Sequence, residues 1–141
     1  MFLRNNFLLY LTAIFIAVAV AILPKDAFAN EESEKHNAHG VDYYNNGKYT
    51  EAIKEYKLTI GIEKNNARYY NNLGWVYKEM KDYPLAEENF NKAIQLNPNH
   101  SSAYRGLARM YHDQSKNDEA KKYFLLTPEK NILILNHTKM Q

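Results

Sequence analysis

The sequence predicts an all-α solenoid of about three helix-turn-helix repeats, preceded by an N-terminal signal or anchor helix. Three observations carry this expectation. From Ser33 onward, small and apolar residues recur in register at a period of about 34 residues. Within each period they fall at helical spacings and are separated by short polar turns. Ahead of the repeats, Phe7 to Leu23 is an apolar run interrupted only by Tyr10 and Thr12.

Composition narrows the functional classes. The chain of 141 residues suits one small domain, and its net charge of +2 offers no electrostatic grip on nucleic acid. Cysteine is absent, which excludes disulfides, thiolate metal sites and cysteine nucleophiles. With 5 Gly and 4 Pro against 12 Tyr, the balance fits a packed helical array better than a disordered chain.

The first element, residues 1–29, is expected to be a signal peptide or membrane anchor. Arg4 and the terminal amine supply a positive start, and Pro24 breaks the apolar helix. Ala27 and Ala29 are small residues at the two positions that signal peptidase reads, so cleavage would leave Asn30 first. The other reading is an uncleaved anchor, for which the apolar run is slightly shorter than the roughly 20 residues a bilayer span needs. Both readings place the repeats outside the cytosol, secreted or tethered to the outer face of the membrane. Residues 30–36 are charged and poor in apolar side chains, and are expected to be a linker.

The repeats follow as 33–66, 67–100 and 101–134. In the middle copy Tyr70, Leu73, Gly74, Tyr77, Ala86, Phe90, Ala93 and Pro98 occupy the recurring slots. Gly40, Tyr43, Ala52, Tyr56 and Thr59 fill them in the first copy, and Tyr104, Leu107, Ala108, Tyr111, Ala120 and Phe124 in the third. Each slot has a physical reason. Gly74 and Ala86 lie where two helices approach most closely, and a larger side chain would force them apart. Leu73, Tyr77 and Phe90 form the buried stripe. Ala93 admits the next helix, Pro98 ends its own, and Asn99 or Ser101 is placed to cap the helix that follows. Lys81 to Pro84 and Gly47 to Tyr49 are the turns inside the repeats.

Both ends depart from the pattern. His36 and His39 stand in slots that elsewhere bury an aromatic residue and Leu, which makes the first helix of the first repeat the least stable. In the third copy Pro128 interrupts the second helix; Thr127 and Pro128 then begin a new one. Residues 128–141 are a C-terminal cap, with Ile132 to Leu135 covering the end of the stack, or a sticky apolar tail.

The slot pattern resembles the tetratricopeptide repeat, with Tyr70 in place of the usual Trp, across nearly all of the chain beyond its N-terminal segment. The resemblance implies a right-handed α-solenoid over 33–134 whose first helices line a concave groove. On that register the groove presents Asn37, Val41 and Tyr44, then Arg68, Asn71, Asn72, Trp75 and Glu79, then Arg105, Arg109 and His112. Part of this set is similar to the carboxylate clamp by which some such domains hold a peptide C-terminus: Asn72, Arg105 and Arg109 match its later positions, while Asn37 and Val41 do not match its first two. Arg105 and Arg109 share a helical face and suit bidentate capture of a carboxylate. The simpler reading is a solvated face paired with Glu79 or Asp113. Trp75 is either a ligand anchor or packing between first helices.

No catalytic motif appears. The adjacent pairs Glu31-Glu32 and Glu87-Glu88 point in different directions on a helix and make no acid/base dyad. His36, His39 and Asp42 have one-face spacing that could hold a metal, but degenerate core slots explain the histidines, and no metal or other cofactor is expected. The implied partner is another polypeptide, bound as a peptide segment by an exported, non-catalytic interaction module. The alternative is a structural component that self-associates through the apolar ends of the stack.

Overall fold

A computed structural model describes residues 10, 12–15 and 25–128. Among the described residues from 25 onward six helices follow one another: α1 (Lys25–Asn45), α2 (Tyr49–Ile62), α3 (Ala67–Glu79), α4 (Tyr83–Leu96), α5 (Ser101–Asp113) and α6 (Asn117–Leu125). They pack as the pairs α1/α2, α3/α4 and α5/α6, with α2 against α3 and α4 against α5. The first helices also meet directly, α1 with α3 and α3 with α5. No strand occurs among the described residues. The expected all-helical, solenoid-like stack is therefore the architecture found.

The turns within the three pairs are the same device. Gly47, Lys81 and Ser115 share one slot and all adopt a left-handed backbone, with φ of 71°, 61° and 61°. The next amide in each case bonds back to a tyrosine carbonyl: Lys48 to Tyr43, Asp82 to Tyr77 and Lys116 to Tyr111, at 2.8–2.9 Å. These bonds satisfy carbonyls that the helix end leaves open, which is why the turn survives where lysine or serine replaces glycine. The expected caps are partly reassigned. Asn66 caps α3 by accepting from the Arg68 amide, and Asp82 caps α4 by accepting from Leu85. Before α5 the boundary residue is His100, with no side-chain cap, while Asn97 accepts from the Asn99 amide instead.

The core runs through the middle of the stack. Phe90 has no exposed surface, and its ring is enclosed by the edge of Trp75, by Gly74 of α3 and by Gly106 of α5. A Cβ at Gly74 would stand 2.8 Å from the Phe90 ring, and one at Gly106 only 2.4 Å. Tyr56 repeats the arrangement one unit earlier against Gly40, where a Cβ would stand at 2.6 Å. Burial lifts the Tyr56 phenol to about 12, with the Tyr44 phenol adding to it. Ala52 and Ala86, one period apart, are fully buried and let the second helix of each pair close onto the first.

Two expectations at the ends change. Residues 30–36 are not a linker but part of α1, because Ser33 and Asn37 face inward and are buried by hydrogen bonding rather than by apolar packing. His36 and His39 do not replace the core side chains of their slots. His36 turns to Glu55 of α2, with Nδ1 2.6 Å from Oε2, and His39 is exposed near the same carboxylate. At the other end α6 stops at Leu125, and the buried Thr127 hydroxyl donates back to the Phe124 carbonyl. Ile132 to Leu135 lie outside the described residues. So does most of the apolar run Phe7 to Leu23; among the described residues no helix is long and apolar enough to cross a membrane.

The contrast between glycines gives a direct test of the packing. Gly106→Ala forces a Cβ into the Phe90 ring and is expected to cost about 1–3 kcal/mol. Gly61→Ala, in α2 with nothing within 4 Å of the new methyl, is expected to stabilise by about 0.5–1 kcal/mol. Urea denaturation of the two variants measures both; equal effects would remove the close approach as the reason for Gly106.

Candidate functional site

The face shared by α1, α3 and α5 is organised by pairs that join each first helix to the next. Arg68 of α3 pairs with Glu34 of α1, and Asn72 Nδ2 donates to Asn37 Oδ1 at 3.0 Å. Lys78 Nζ reaches Asp113 of α5 at 2.9 Å and Glu79 at 3.3 Å. Each link spans one period or one residue more. The shared spacing arises because equivalent slots on stacked helices lie side by side.

One edge of this face is a polar cluster. Ser33 of α1 donates to the Glu63 carboxylate in the α2–α3 connection. The Tyr69 hydroxyl donates to Glu34 Oε1 at 3.0 Å and lies 3.4 Å from Glu63 Oε2. The Ser33 hydrogen bond, helped by Asn66 and Tyr69, outweighs burial and holds the Glu63 carboxyl below the usual carboxylate range. Arg68, expected to face a ligand, is committed here: it pairs with Glu34 and lies 5.1 Å from the Tyr69 ring centre.

The middle of the face brings together Tyr44, Trp75, Glu79 and Arg109. Trp75 is half-buried, meeting Phe90 edge-on at 5.5 Å, and its Nε1 donates to Ser102 Oγ at 3.3 Å. The Arg109 guanidinium lies 5.8 Å from its ring centre. Trp75 is thus packing as well as surface. Burial raises the Tyr44 phenol, and Glu79 raises it further, against the opposing charges of Lys78 and Arg109. Burial alone would lower the Lys78 ammonium, but its bonds to Asp113 and Glu79 prevail and its pKa rises.

The remaining expected residues divide. Arg105 and Arg109 are exposed, and neither forms an ion pair among the described residues; Glu79 and Asp113 pair with Lys78 instead. Val41 is exposed, one helical turn before Tyr44, whereas His112 is exposed and 3.9 Å from Asp113. Asn37 and Asn71 are buried, at 8% and 5% exposure. Asn72 is occupied by Asn37. Lys78 and Ser102 were not singled out by the sequence; the signal for Lys78 was Asp113 one period and one residue onward. His36, His39 and Asp42 do not converge, and no group that could hold a metal occurs among the described residues.

Comparison with known proteins matches this geometry. Residues 67–100 and 89–122 fit family models described as tetratricopeptide repeat, and residues 40–81 one described as TPR repeat. The chain is 33% identical over 80 residues to the Hsp70-Hsp90 organising protein of Plasmodium falciparum, covering 57% of this chain and 14% of that one. It is 26% identical over 121 residues to the photosystem I assembly protein Ycf3 of Prochlorococcus marinus, covering 82% and 68%. It spans between 12% and 25% of the length of three curated relatives it matches. Among solved structures, MamA is similar at a TM-score of 0.66 and 27% identity, covering 74% of this chain and 61% of that one. The first TPR of Spaghetti (RPAP3), bound to the HSP90 peptide SRMEEVD, is similar at 0.66 and 27%, covering 71% and 79%.

The Glu63 cluster has a pH signature. Because its folded value is depressed, Glu63 contributes stability above about pH 4.3 that is lost as the pH falls through the folded value. Glu63→Gln is expected to melt below the natural chain at neutral pH, with the gap closing on acidification. Thermal melts across this range decide it; parallel curves would show that the cluster contributes nothing.

Proposed function

For a chain built of tetratricopeptide repeats, we propose an adaptor role without catalysis, in which the face of α1, α3 and α5 holds an extended segment of another polypeptide. The observation that carries this reading is the pair of exposed guanidinium groups, Arg105 and Arg109, with no carboxylate partner among the described residues and with Trp75 beside one of them. Such a pair suits an acidic side chain or a terminal carboxylate, since each planar fork donates to two oxygens. The similarity to a tetratricopeptide domain bound to SRMEEVD supports the same ligand chemistry. The early half of a carboxylate clamp is missing, because Asn37 and Val41 do not match its first two positions, and Asn72 of the later half is bonded to the buried Asn37. The arginines therefore act with Trp75, Tyr44 and Val41, which offer apolar surface next to the charge.

The test is an array of free-carboxylate heptapeptides, SRMEEVD among them, read by fluorescence anisotropy. Arg105→Ala with Arg109→Ala is expected to weaken the tightest binder by about tenfold or more, with unchanged circular dichroism. Trp75 is left intact, because its removal would disturb Phe90. Amidating the peptide terminus should cost a similar factor if a terminal carboxylate is the ligand. A double variant that binds as well as the natural chain would overturn the reading. A second reading, self-association, is favoured by the exposed Leu125 and Leu126 of the last turn; sedimentation that shifts with concentration would support it.

We also propose that residues 1–29 export the chain and place the repeats outside the cytosol. The apolar run Phe7 to Leu23 and the Ala27-Phe28-Ala29 sequence support this. Cleavage after Ala29 would trim the first turn of α1 and keep every buried residue from Ser33 onward. N-terminal sequencing of the protein from a bacterial host is expected to begin at Asn30, or at Met1 in a membrane fraction; an intact chain in the cytosol would refute export.

A further inference from the structure

Asn71 is buried, yet its side-chain oxygen has no hydrogen-bond donor among the described residues. Its amide nitrogen belongs to a run of side-chain amides that crosses from α3 to α1. Asn72 gives its Nδ2 to Asn37 Oδ1 at 3.0 Å and so leaves its own oxygen as an acceptor, which Asn71 Nδ2 approaches at 3.4 Å. In this run of three amides Asn71 is the last donor, and its own oxygen is left without one among the described residues.

Repeat geometry explains why that oxygen is alone. Asn37 and Asn71 occupy one slot in successive repeats. The oxygen of Asn37 is met by the residue one period and one position later, Asn72; for Asn71 the corresponding residue is Gly106. Glycine brings no side-chain donor, and packing opposes a larger residue, because a Cβ there would stand 2.4 Å from the Phe90 ring. The close packing of the core has therefore removed the internal partner of Asn71. Arg105 and Arg109, on the same helix as Gly106, are the unpaired cations of the candidate site. Trp75 lies one helical turn from Asn71.

We infer that Asn71 Oδ1, opposite Gly106, is a ligand position that accepts a hydrogen bond from a main-chain N–H of the bound peptide. This rests on the peptide-binding reading given above. An extended segment laid across the helices must find acceptors for its amides, since they leave water on binding. A lysine or arginine side chain is the other common donor, and the two nearby guanidinium groups repel it. The oxygen is shielded from solvent, so a side-chain rotation accompanies its engagement.

The experiment uses the full chain and the tightest-binding free-carboxylate heptapeptide of the array, together with analogues N-methylated at one position each. Asn71→Leu removes an unpaired buried oxygen, so its melting temperature is expected to stay level or rise while peptide affinity falls about fivefold to tenfold. One N-methyl position should weaken binding to the natural chain by a similar factor and leave the Asn71→Leu variant unaffected. Asn71→Ala, measured in parallel, gives the same comparison if leucine is not accommodated. Unchanged affinity in a folded variant, or equal N-methyl penalties in natural and variant chains, overturns the assignment. If the Arg105→Ala, Arg109→Ala variant loses the peptide while Asn71→Leu keeps it, the peptide-binding reading stands and this position falls; if both keep it, both readings fall.

Discussion

Phe90 sits between two glycine backbones, and most of what distinguishes this stack follows from that placement. A ring pressed against Gly74 on one side and Gly106 on the other draws α3, α4 and α5 together at distances that a single added methyl would not permit. Close-packed interiors respond to volume changes of this size because neighbouring side chains have few other places to go. The same ring seats Trp75 edge-on, so the orientation of the largest side chain on the candidate face is set from within the core. Surface chemistry and interior packing are coupled through one residue.

The candidate face is mostly self-satisfied, and its unsatisfied groups are concentrated. Glu34, Arg68, Lys78, Glu79 and Asp113 compensate one another across helices, and exposed pairs of this kind contribute little net stability. Their effect is to position helices and to leave the field of Arg105 and Arg109 uncancelled. The polar edge around Glu63 and the arginine pair thus have opposite roles: one closes an interface, the other leaves charge available at the surface.

Much of the fold was legible because periodicity is a property of the sequence. Gly74, Ala86 and Phe90 occupied their slots for steric reasons that need no coordinates. What could not be read was burial by hydrogen bonding. Ser33 and Asn37 make the start of α1 look like a charged linker, since an inward face built from hydroxyl and amide groups has no hydrophobic period. Gly106 gave no signal either, being a departure from the slot pattern rather than part of it. For the site, sequence placed Arg105, Arg109 and Trp75 on a common face. It could not show that Arg68 and Asn72 are spent on α1, because that depends on which long side chains meet across a helix pair.

The links between first helices span one period or slightly more, and the longest hydrogen bond among the described residues joins Ser33 to Tyr69, 36 positions apart. Hydrogen bonding in this chain is therefore local: no described hydrogen bond waits for a segment synthesised much later. A helix pair can close as soon as its neighbour has left a ribosome or a translocation channel, without holding distant strands in reserve. Structures of this kind assemble in the order in which they emerge, and they lose their ends before their middle.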